Sequence, residues 1–168
     1  MSARRTLVTL ALAGGIAACA KPAEQTAAAA PAVDSAAVRA AAADLWTRWI
    51  AADTAGNVAA LATLWGDSAR ADVRGMPPIM GRAGLQTFFE TAFKSTKVNA
   101  ETVTPDMTIP VANDLVYQNG SYTETTTTKG KTETAFGRYA LAIHKYPDGQ
   151  WRFAYVMAFA DSTVPKKK

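Results

Sequence analysis

The first half of the sequence carries apolar residues at helical spacing. From residue 35 onward they recur at intervals of three and four, which predicts a first helix with one apolar stripe. The stripe consists of Val38, Ala42, Leu45, Trp49 and Ala52, and Trp46 widens it. Asp34 or Ser35 can cap the start of this helix, and Gly56 is expected to end it.

Two more helices and a short strand are predicted before residue 95. Asn57 can cap the second helix, which Gly66 is expected to end. Its inward residues are Val58, Leu61, Leu64 and Trp65. A strand over 69–74 follows, and then a loop, because Pro77-Pro78 fits no regular element. The third helix follows Gly81–Gly84 and presents one face made of Leu85, Phe88, Phe89, Ala92 and Phe93.

The second half of the chain is rich in threonine, valine and aromatic residues, which is typical of strands. It predicts strands at about 98–109, 114–128, 131–146 and 150–160. The separating signals are Pro110 with Asn113, Lys129-Gly130 and Pro147-Asp148-Gly149, and Asn119-Gly120 is expected to form a bulge within one long strand. Helices followed by a meander of strands predict an α+β domain with helices on one face of an antiparallel sheet.

The last strand alternates regularly. Strict alternation places Trp151, Phe153, Tyr155, Met157 and Phe159 on one face and smaller residues such as Val156 and Ala158 on the other. A row of large apolar side chains is typical of a core or a dimer interface, and less often of a ligand wall. The sequence therefore favours a homodimer.

The N-terminus carries a leader of the bacterial lipoprotein type. Arg4 and Arg5 precede a short apolar run that ends in Ile16-Ala17-Ala18-Cys19, at the only cysteine of the chain. The run is too short to span a bilayer, which takes ~20 apolar residues. We expect cleavage before Cys19 and attachment of a diacylglycerol to its thiol, with acyl chains such as palmitate. An ordinary leader with a free Cys19 is the alternative.

These signals divide the chain into a leader over 1–18, an acylated Cys19 with a flexible tether over 19–34, a domain over 35–164 and a basic tail over 165–168. The expected location is the periplasmic face of the outer membrane, or the cell surface in an organism with one membrane. Membrane contact is expected through the acylated cysteine.

Charge and composition exclude several classes of function. The chain has 18 Lys and Arg against 14 Asp and Glu, and loss of the leader removes two of the basic residues. A nearly neutral domain does not indicate nucleic-acid binding. One histidine and one cysteine committed to lipid cannot build a structural zinc site, so no metal or cofactor is predicted.

Three polar residues of the domain are candidates for chemistry. Asp72 could be a pocket base, but an ion-paired strand residue is the more ordinary interpretation. His144 could be a general base or a surface histidine. Arg138 could bind a ligand carboxylate or pair within the sheet.

The order of elements and several short segments resemble the nuclear-transport-factor-like superfamily, the cone-shaped fold of SnoaL-like and ketosteroid-isomerase-like domains. The matching segments cover about residues 38–161 and mark helix ends, bulges and turns. They are Ala55–Trp65, Gly81–Leu85 with Phe88-Phe89, Gly120-Ser121-Tyr122, Gly137-Arg138-Tyr139 and Asp148–Phe153.

The resemblance implies a curved sheet that encloses an apolar pocket. The candidates for the pocket wall are Trp49, Trp65, Met80, Phe88, Tyr117, Tyr139 and Tyr155. In the isomerase branch a base lies on the first short strand, and a tyrosine and a protonated carboxylic acid donate to the oxyanion. In this sequence the position of the base falls on Val73, beside Asp72, and the position of the tyrosine falls near Trp49. A further position that is often polar falls on Val156. No Asp or Glu occurs between Arg138 and Lys145, where the second acid is expected.

The sequence therefore favours an anchored SnoaL-like domain that binds a small apolar ligand or a protein partner. An enzyme that transfers a proton on a carbonyl compound, with Asp72 as its one acidic candidate, is the first alternative. An association module without a ligand is the second. An acid or base with a shifted pKa on a cavity wall would favour the enzyme.

Overall fold

The computed structural model describes residues 32–165, in which three helices pack on one six-stranded sheet. The helices are α1 (Ser35–Thr54), α2 (Val58–Thr63) and α3 (Gly81–Ala92). The strands are β1 (Trp65–Val73), β2 (Ile79–Met80), β3 (Thr96–Ala112), β4 (Leu115–Thr128), β5 (Lys131–Lys145) and β6 (Trp151–Pro165). Between residues 32 and 165, no helix is long and apolar enough to cross a membrane. The predicted lipidation site Cys19 lies outside the described residues.

The helix starts follow the predicted caps. The Asp34 side chain accepts a hydrogen bond from the Ala37 N–H at 3.1 Å, and the Asn57 side chain accepts one from the Ala60 N–H at 3.0 Å. Gly56 adopts a left-handed backbone with φ +63° between the two helices. A glycine takes this conformation at little cost, so the chain reverses here without strain.

The end of the second helix was predicted wrongly. α2 ends at Thr63, and Trp65 and Gly66 already belong to β1. The Phe153 N–H donates to the Leu64 carbonyl at 2.9 Å, and Trp65 pairs with Phe153. The chain therefore joins the sheet as soon as it leaves the helix. A Cβ at Gly66 would overlap the Tyr146 ring, which packs closely against this glycine.

The sheet has the strand order β2-β1-β6-β5-β4-β3. All neighbouring strands are antiparallel except β1 and β6, which run parallel. The predicted antiparallel sheet thus contains one parallel pair. Pro110, expected to end a strand, lies inside β3. β3 is an edge strand, and an edge tolerates a missing N–H donor.

Irregular positions curve the sheet and redirect its side chains. Register shifts leave Asn99 and Asp106 of β3 and Ala154 of β6 without a direct partner. The bulge expected at Asn119-Gly120 lies on the neighbouring strand, at Asp106, while β4 runs through as predicted. Because a bulge changes the alternation of side chains, Phe153 shares the inner face with Val156 and Ala158. The strict alternation predicted for β6 is therefore wrong.

The core lies between the helices and the inner face of the sheet. Leu45, Leu61, Leu85, Leu141, Ile143, Val116 and Phe153 are its largest fully buried side chains. Only two polar residues among the described ones are buried with them, Asp53 and Gln118, at 5% and 2% exposure. This arrangement of helices on a curved, unclosed sheet is the predicted cone-shaped α+β fold.

Candidate functional site

A cavity of about 170 Å³ opens between α1 and the inner face of the sheet. We call it the tryptophan cavity. Its wall consists of Trp46, Trp49, Trp65, Glu101, Val103, Tyr122, Glu124, Tyr139, Phe153, Val156 and Ala158. An apolar protein cavity of ~150 Å³ can hold benzene, so this one has room for a ligand of similar size.

A second cavity of about 300 Å³ lies against α3. We call it the phenylalanine cavity, since Phe88, Phe89 and Phe93 contribute to its wall. The two cavities share the wall residues Trp49, Trp65, Glu124, Val156 and Ala158. A ligand larger than benzene could therefore extend from one into the other around these side chains.

Three carboxyl groups come together at these cavities. We call Asp53, Glu101 and Glu124 the carboxyl cluster. Glu101 on β3 and Glu124 on β4 are direct cross-strand partners, and Asp53 approaches from the last turn of α1. The carboxyls of Asp53 and Glu101 lie close enough to perturb each other's pKa, and a hydrogen bond between them would require one shared proton. The Trp49 indole N–H donates to both oxygens of Glu101, at 3.0 and 3.2 Å.

Burial and mutual repulsion make this cluster hold protons near neutral pH. Burial, with the charges of Asp53 and Glu124, raises the pKa of Glu101 to about 8. Burial and the charge of Asp53 raise the pKa of Glu124 to about 7. Burial raises the pKa of Asp53 to about 6, while its hydrogen bond with Glu101 acts in the opposite direction. The cluster therefore contains both a carboxylic acid and a carboxylate at pH 7.

A buried amide positions two of the aromatic walls. The Gln118 Oε1 atom accepts hydrogen bonds from the Trp46 indole at 2.6 Å and from the Tyr139 hydroxyl at 3.1 Å. Its Nε2 donates to the Thr108 hydroxyl at 2.9 Å. Trp46 and Tyr139 also pack edge to face with centroids 5.2 Å apart. Since each polar atom of Gln118 is satisfied, the amide locks these rings in place.

One polar atom of the wall has no partner. The Trp65 indole nitrogen is buried, and no acceptor contacts it within residues 32–165. Burying an N–H without an acceptor is unfavourable by ~1–3 kcal/mol. The Trp65 ring lines both cavities, while its nitrogen lies within the packed core.

The cavities carry no built-in positive charge. Among the described residues, no lysine, arginine or histidine lines either cavity. The carboxyl cluster is also no metal centre by geometry, because no three Asp, Glu, His or Cys side chains in residues 32–165 are arranged to hold an ion. Such a site can carry out acid–base chemistry or bind polar and charged ligands.

Four of the predicted wall residues line the cavities. Trp49, Trp65 and Tyr139 line the tryptophan cavity, and Phe88 lines the phenylalanine cavity. Trp49 lies at the centre of this aromatic packing, with ring centroids 5.9 Å from Trp65 and 5.6 Å from Phe153.

The other three predicted wall residues lie elsewhere. Met80 immediately precedes α3 and is 58% exposed. Tyr117 points outward because both of its neighbours in β4 are buried, and strand residues alternate. Tyr155 points outward because of the bulge at Ala154. These three assignments are therefore corrected.

The polar candidates from the sequence lie away from both cavities. Asp72 accepts hydrogen bonds from Arg70 Nε at 2.9 Å and from the Tyr155 hydroxyl at 2.9 Å, and the Arg70 guanidinium lowers the pKa of Asp72. Arg138 donates to both carboxylate oxygens of Asp161, each at 2.9 Å. The His144 side chain is 40% exposed and lies 3.6 Å from the Asp114 carboxylate.

The carboxyl cluster was missed from the sequence, although a signal for each member exists. Asp53 follows Trp49 by four residues and so belongs to the stripe of α1. Glu101 and Glu124 each lie two residues from an apolar inward residue, Val103 and Tyr122. Both glutamates are embedded in polar segments that are typical of a solvated strand. Nothing in the sequence pairs β3 with β4 in the register that brings them together.

The positions of the isomerase catalytic groups are apolar here. Val73, at the position of the base, lines the phenylalanine cavity, and Val156 lines both cavities. Trp49 replaces the tyrosine and donates its N–H to Glu101. The acids of this cavity thus come from other elements than those of the isomerase branch.

Fold and cavity together define a cone-shaped domain of the SnoaL and ketosteroid-isomerase type. The family model described as "SnoaL-like domain" matches residues 34–156. The chain therefore belongs to the SnoaL-like domain family. No curated protein sequence matches the chain.

Solved structures share the fold at low sequence identity. LinA aligns with a TM-score of 0.70 and 19% identity over 78% of this chain and 90% of its own. The hexachlorocyclohexane dehydrochlorinase LinA-type3 from Novosphingobium barchaimii has a TM-score of 0.65 and 18% identity, over 78% and 91% of the two chains. A ketosteroid isomerase-like protein from Erwinia carotovora atroseptica has a TM-score of 0.66 and 15% identity, over 73% and 95%. At these identities the likeness concerns the fold alone.

Proposed function

We propose that this domain is an acid–base enzyme that transfers a proton on a small carbonyl compound held in the tryptophan cavity. The observation that carries the proposal is the carboxyl cluster, in which Glu101 keeps its proton at neutral pH while Asp53 is mostly ionised. Groups with separated pKa values in one cavity can act as acid and base in the same reaction. Enzymes among the solved structures with this fold, such as the dehydrochlorinase, show that the cone can carry catalysis.

The proposed roles follow from position. Glu124 belongs to the walls of both cavities, so its carboxylate can reach a carbon-bound proton of a ligand in either. Glu101 holds the proton that it shares with Asp53, and a ligand oxygen in the tryptophan cavity competes for that proton. In the first step Glu124 removes the proton next to the carbonyl group, and Glu101 donates to the oxygen where negative charge develops. Return of a proton to carbon completes an isomerisation or an exchange.

A binding protein without turnover is the second candidate. It is favoured by the wall itself, because six of the eleven residues of the tryptophan cavity are aromatic. The same ligand class is expected for both functions. They differ in whether a proton moves.

Deuterium exchange separates the two candidates even when the reaction product is not identified. We would incubate the purified protein in D₂O with a panel of small ketones, some neutral and some with an ammonium group, and follow the α-protons by NMR. An enzyme incorporates deuterium, and Glu124→Gln is expected to lower the rate by ~10²-fold or more. Asp72→Asn is the matched control on the outer face and should leave the rate unchanged. No exchange above the buffer rate in any ketone would leave binding as the function.

The chain is further proposed to act at a membrane, anchored through the acylated Cys19. The tether predicted before residue 35 would join the domain at its helical end. There the Asp34 N–H donates to the Asn113 side chain at 2.8 Å, and Asn113 in turn donates to the Ala32 carbonyl at 3.4 Å. These bonds fasten the start of the domain to the turn between β3 and β4.

The homodimer predicted from the sequence also remains a proposal. Its support is an outer sheet face with exposed apolar side chains on four strands. They are Met107, Ile109, Tyr117, Phe136 and Met157. Ile109 and Tyr117 are direct cross-strand partners, so part of this surface is contiguous.

A further inference from the structure

We infer that the ligand of the tryptophan cavity carries a positive charge and is a small organic ammonium compound with an oxygen atom. This inference names the substrate class of the site proposed above and rests on that site. It stands on two observations, namely the aromatic wall and the unbalanced carboxyl cluster.

The aromatic wall surrounds the space closely. Trp46, Trp49, Trp65, Tyr122, Tyr139 and Phe153 all contribute to it. A cavity of this volume is only ~7 Å across, so a cation inside it lies near the ~6 Å range of cation–π attraction for several rings at once. Quaternary ammonium groups are recognised in this way, because such a cation has no hydrogen-bond donor and is weakly hydrated.

The carboxyl cluster lacks a counter-charge. The ionisable groups that face the cavities are Asp53 from α1, Glu101 from β3, Tyr122 and Glu124 from β4, and Tyr139 from β5, and all of them are neutral or negative. Elsewhere in the described part of the chain the acids with lowered pKa are paired with arginines, as Asp161 is with Arg138 and Asp148 with Arg152. Burying carboxylates without a cation is unfavourable, and the cluster reduces this cost only by retaining protons. A cationic ligand would supply the missing charge.

The proposed proton transfer supplies the second feature of the ligand, which is an oxygen atom. Glu101 lines the tryptophan cavity and holds a proton at neutral pH. A ligand with an oxygen a few bonds from its ammonium group would place the cation among the carboxyls and offer the oxygen to Glu101. Amino alcohols and ammonium ketones have this form. The latter are also carbon acids on which the proposed proton transfer could act.

A cationic ligand has a consequence for protons. At pH 7 the free cluster holds about one to two protons, with Glu124 close to half ionised. A cation nearby favours the ionised carboxylates, so binding must release protons. Glu124, with its pKa about 7, is the group expected to give up most of them, which leaves it as the carboxylate that the proposed reaction needs.

The experiment compares choline with 3,3-dimethylbutan-1-ol, its uncharged carbon isostere, by calorimetry on the purified protein. The two probes have nearly the same shape and the same hydroxyl group, so a difference in affinity reports the charge. We expect choline to bind at least about tenfold more tightly, which corresponds to ~1.4 kcal/mol. Its affinity should rise between pH ~6 and ~8, with proton release measured from buffers of different ionisation enthalpy. Affinity for the alcohol should fall or stay level over that range.

Two variants locate the effect. Glu124→Gln should weaken choline binding about fivefold or more and leave the alcohol unchanged, whereas Glu133→Gln, on the exposed side of β5, should change neither. Equal or tighter binding of the alcohol, no binding of choline, or a choline affinity that does not depend on pH would each overturn the inference. Because binding is measured without turnover, a failure of deuterium exchange would defeat the proposed enzyme and leave the cationic ligand standing.

Discussion

The pH dependence of stability offers a direct test of the carboxyl cluster. Glu101 has its pKa raised from the ordinary value of 4.5 to about 8 in the folded protein. A group with a raised folded pKa contributes stability that is complete below the unfolded pKa and is lost as pH rises through the folded pKa. The folded protein is therefore expected to lose stability between pH ~5 and ~8, where most acid-sensitive proteins gain it.

The magnitude follows from the same shift. Each pKa unit corresponds to ~1.36 kcal/mol, so the full shift of Glu101 corresponds to about 5 kcal/mol at most. Part of it is repulsion from Asp53 and Glu124, which also titrate in this range and share the effect. We therefore expect Glu101 to account for ~2–3 kcal/mol of the stability lost over this interval.

Glu101→Gln isolates this contribution. The amide has the shape of the protonated acid, can accept the Trp49 N–H and can donate to Asp53, so it imitates the low-pH state at every pH. Urea unfolding of the purified protein at several pH values, followed by circular dichroism, gives the free energy of unfolding. The variant should match the wild type near pH 5 and exceed it by ~2–3 kcal/mol near pH 8.

Parallel stability curves for the wild type and Glu101→Gln would refute this account of the cluster. They would mean that Glu101 is solvated and ionised in the folded protein like an ordinary surface acid. Glu133→Gln is the matched control, since this residue is exposed on β5, and it should give a curve parallel to the wild type.

Three other predictions test the fold and the anchor. Gly120→Ala should lower the unfolding free energy by ~2 kcal/mol or more, because a Cβ at this position meets the backbone of β3. Gly84→Ala in α3 has room for the added methyl group and should be neutral or stabilising by up to ~1 kcal/mol. Similar changes in unfolding free energy for the two variants would contradict the packing. Trp49→Ala should lower the free energy of urea unfolding by ~3–5 kcal/mol, because it removes the centre of the aromatic packing. Phe88 is more peripheral, and Phe88→Ala should lower this free energy by less. A loss below ~1 kcal/mol for both variants would show that these side chains do not hold the core together. Cys19→Ser should move the protein from the membrane fraction to the soluble fraction, and a substituted protein that still sediments with membranes would exclude the lipid anchor.

Much of the architecture could be read from local sequence. Asp34 and Asn57 are short polar side chains that satisfy the free N–H groups at a helix start, and each does so in the structure. The hairpins at Lys129-Gly130 and near Gly149 follow from the left-handed conformations that these turns require, and both glycines have φ +79°. Such signals lie within a few residues of each other, so they can be interpreted without the tertiary fold.

The cavity and its chemistry depended on contacts between distant parts of the chain. Glu101 and Glu124 become neighbours only through the register of β3 and β4, and Asp53 meets them only because α1 crosses that part of the sheet. A single bulge at Ala154 turned Tyr155 outward and brought Val156 into the wall, because one extra residue exchanges the two faces of a strand. The sequence alone thus determined most of the elements and the apolar faces of the helices, whose causes are local. Which carboxyls lose their water and keep their protons was decided by the tertiary packing, because burial and mutual repulsion exist only once the helices lie on the sheet.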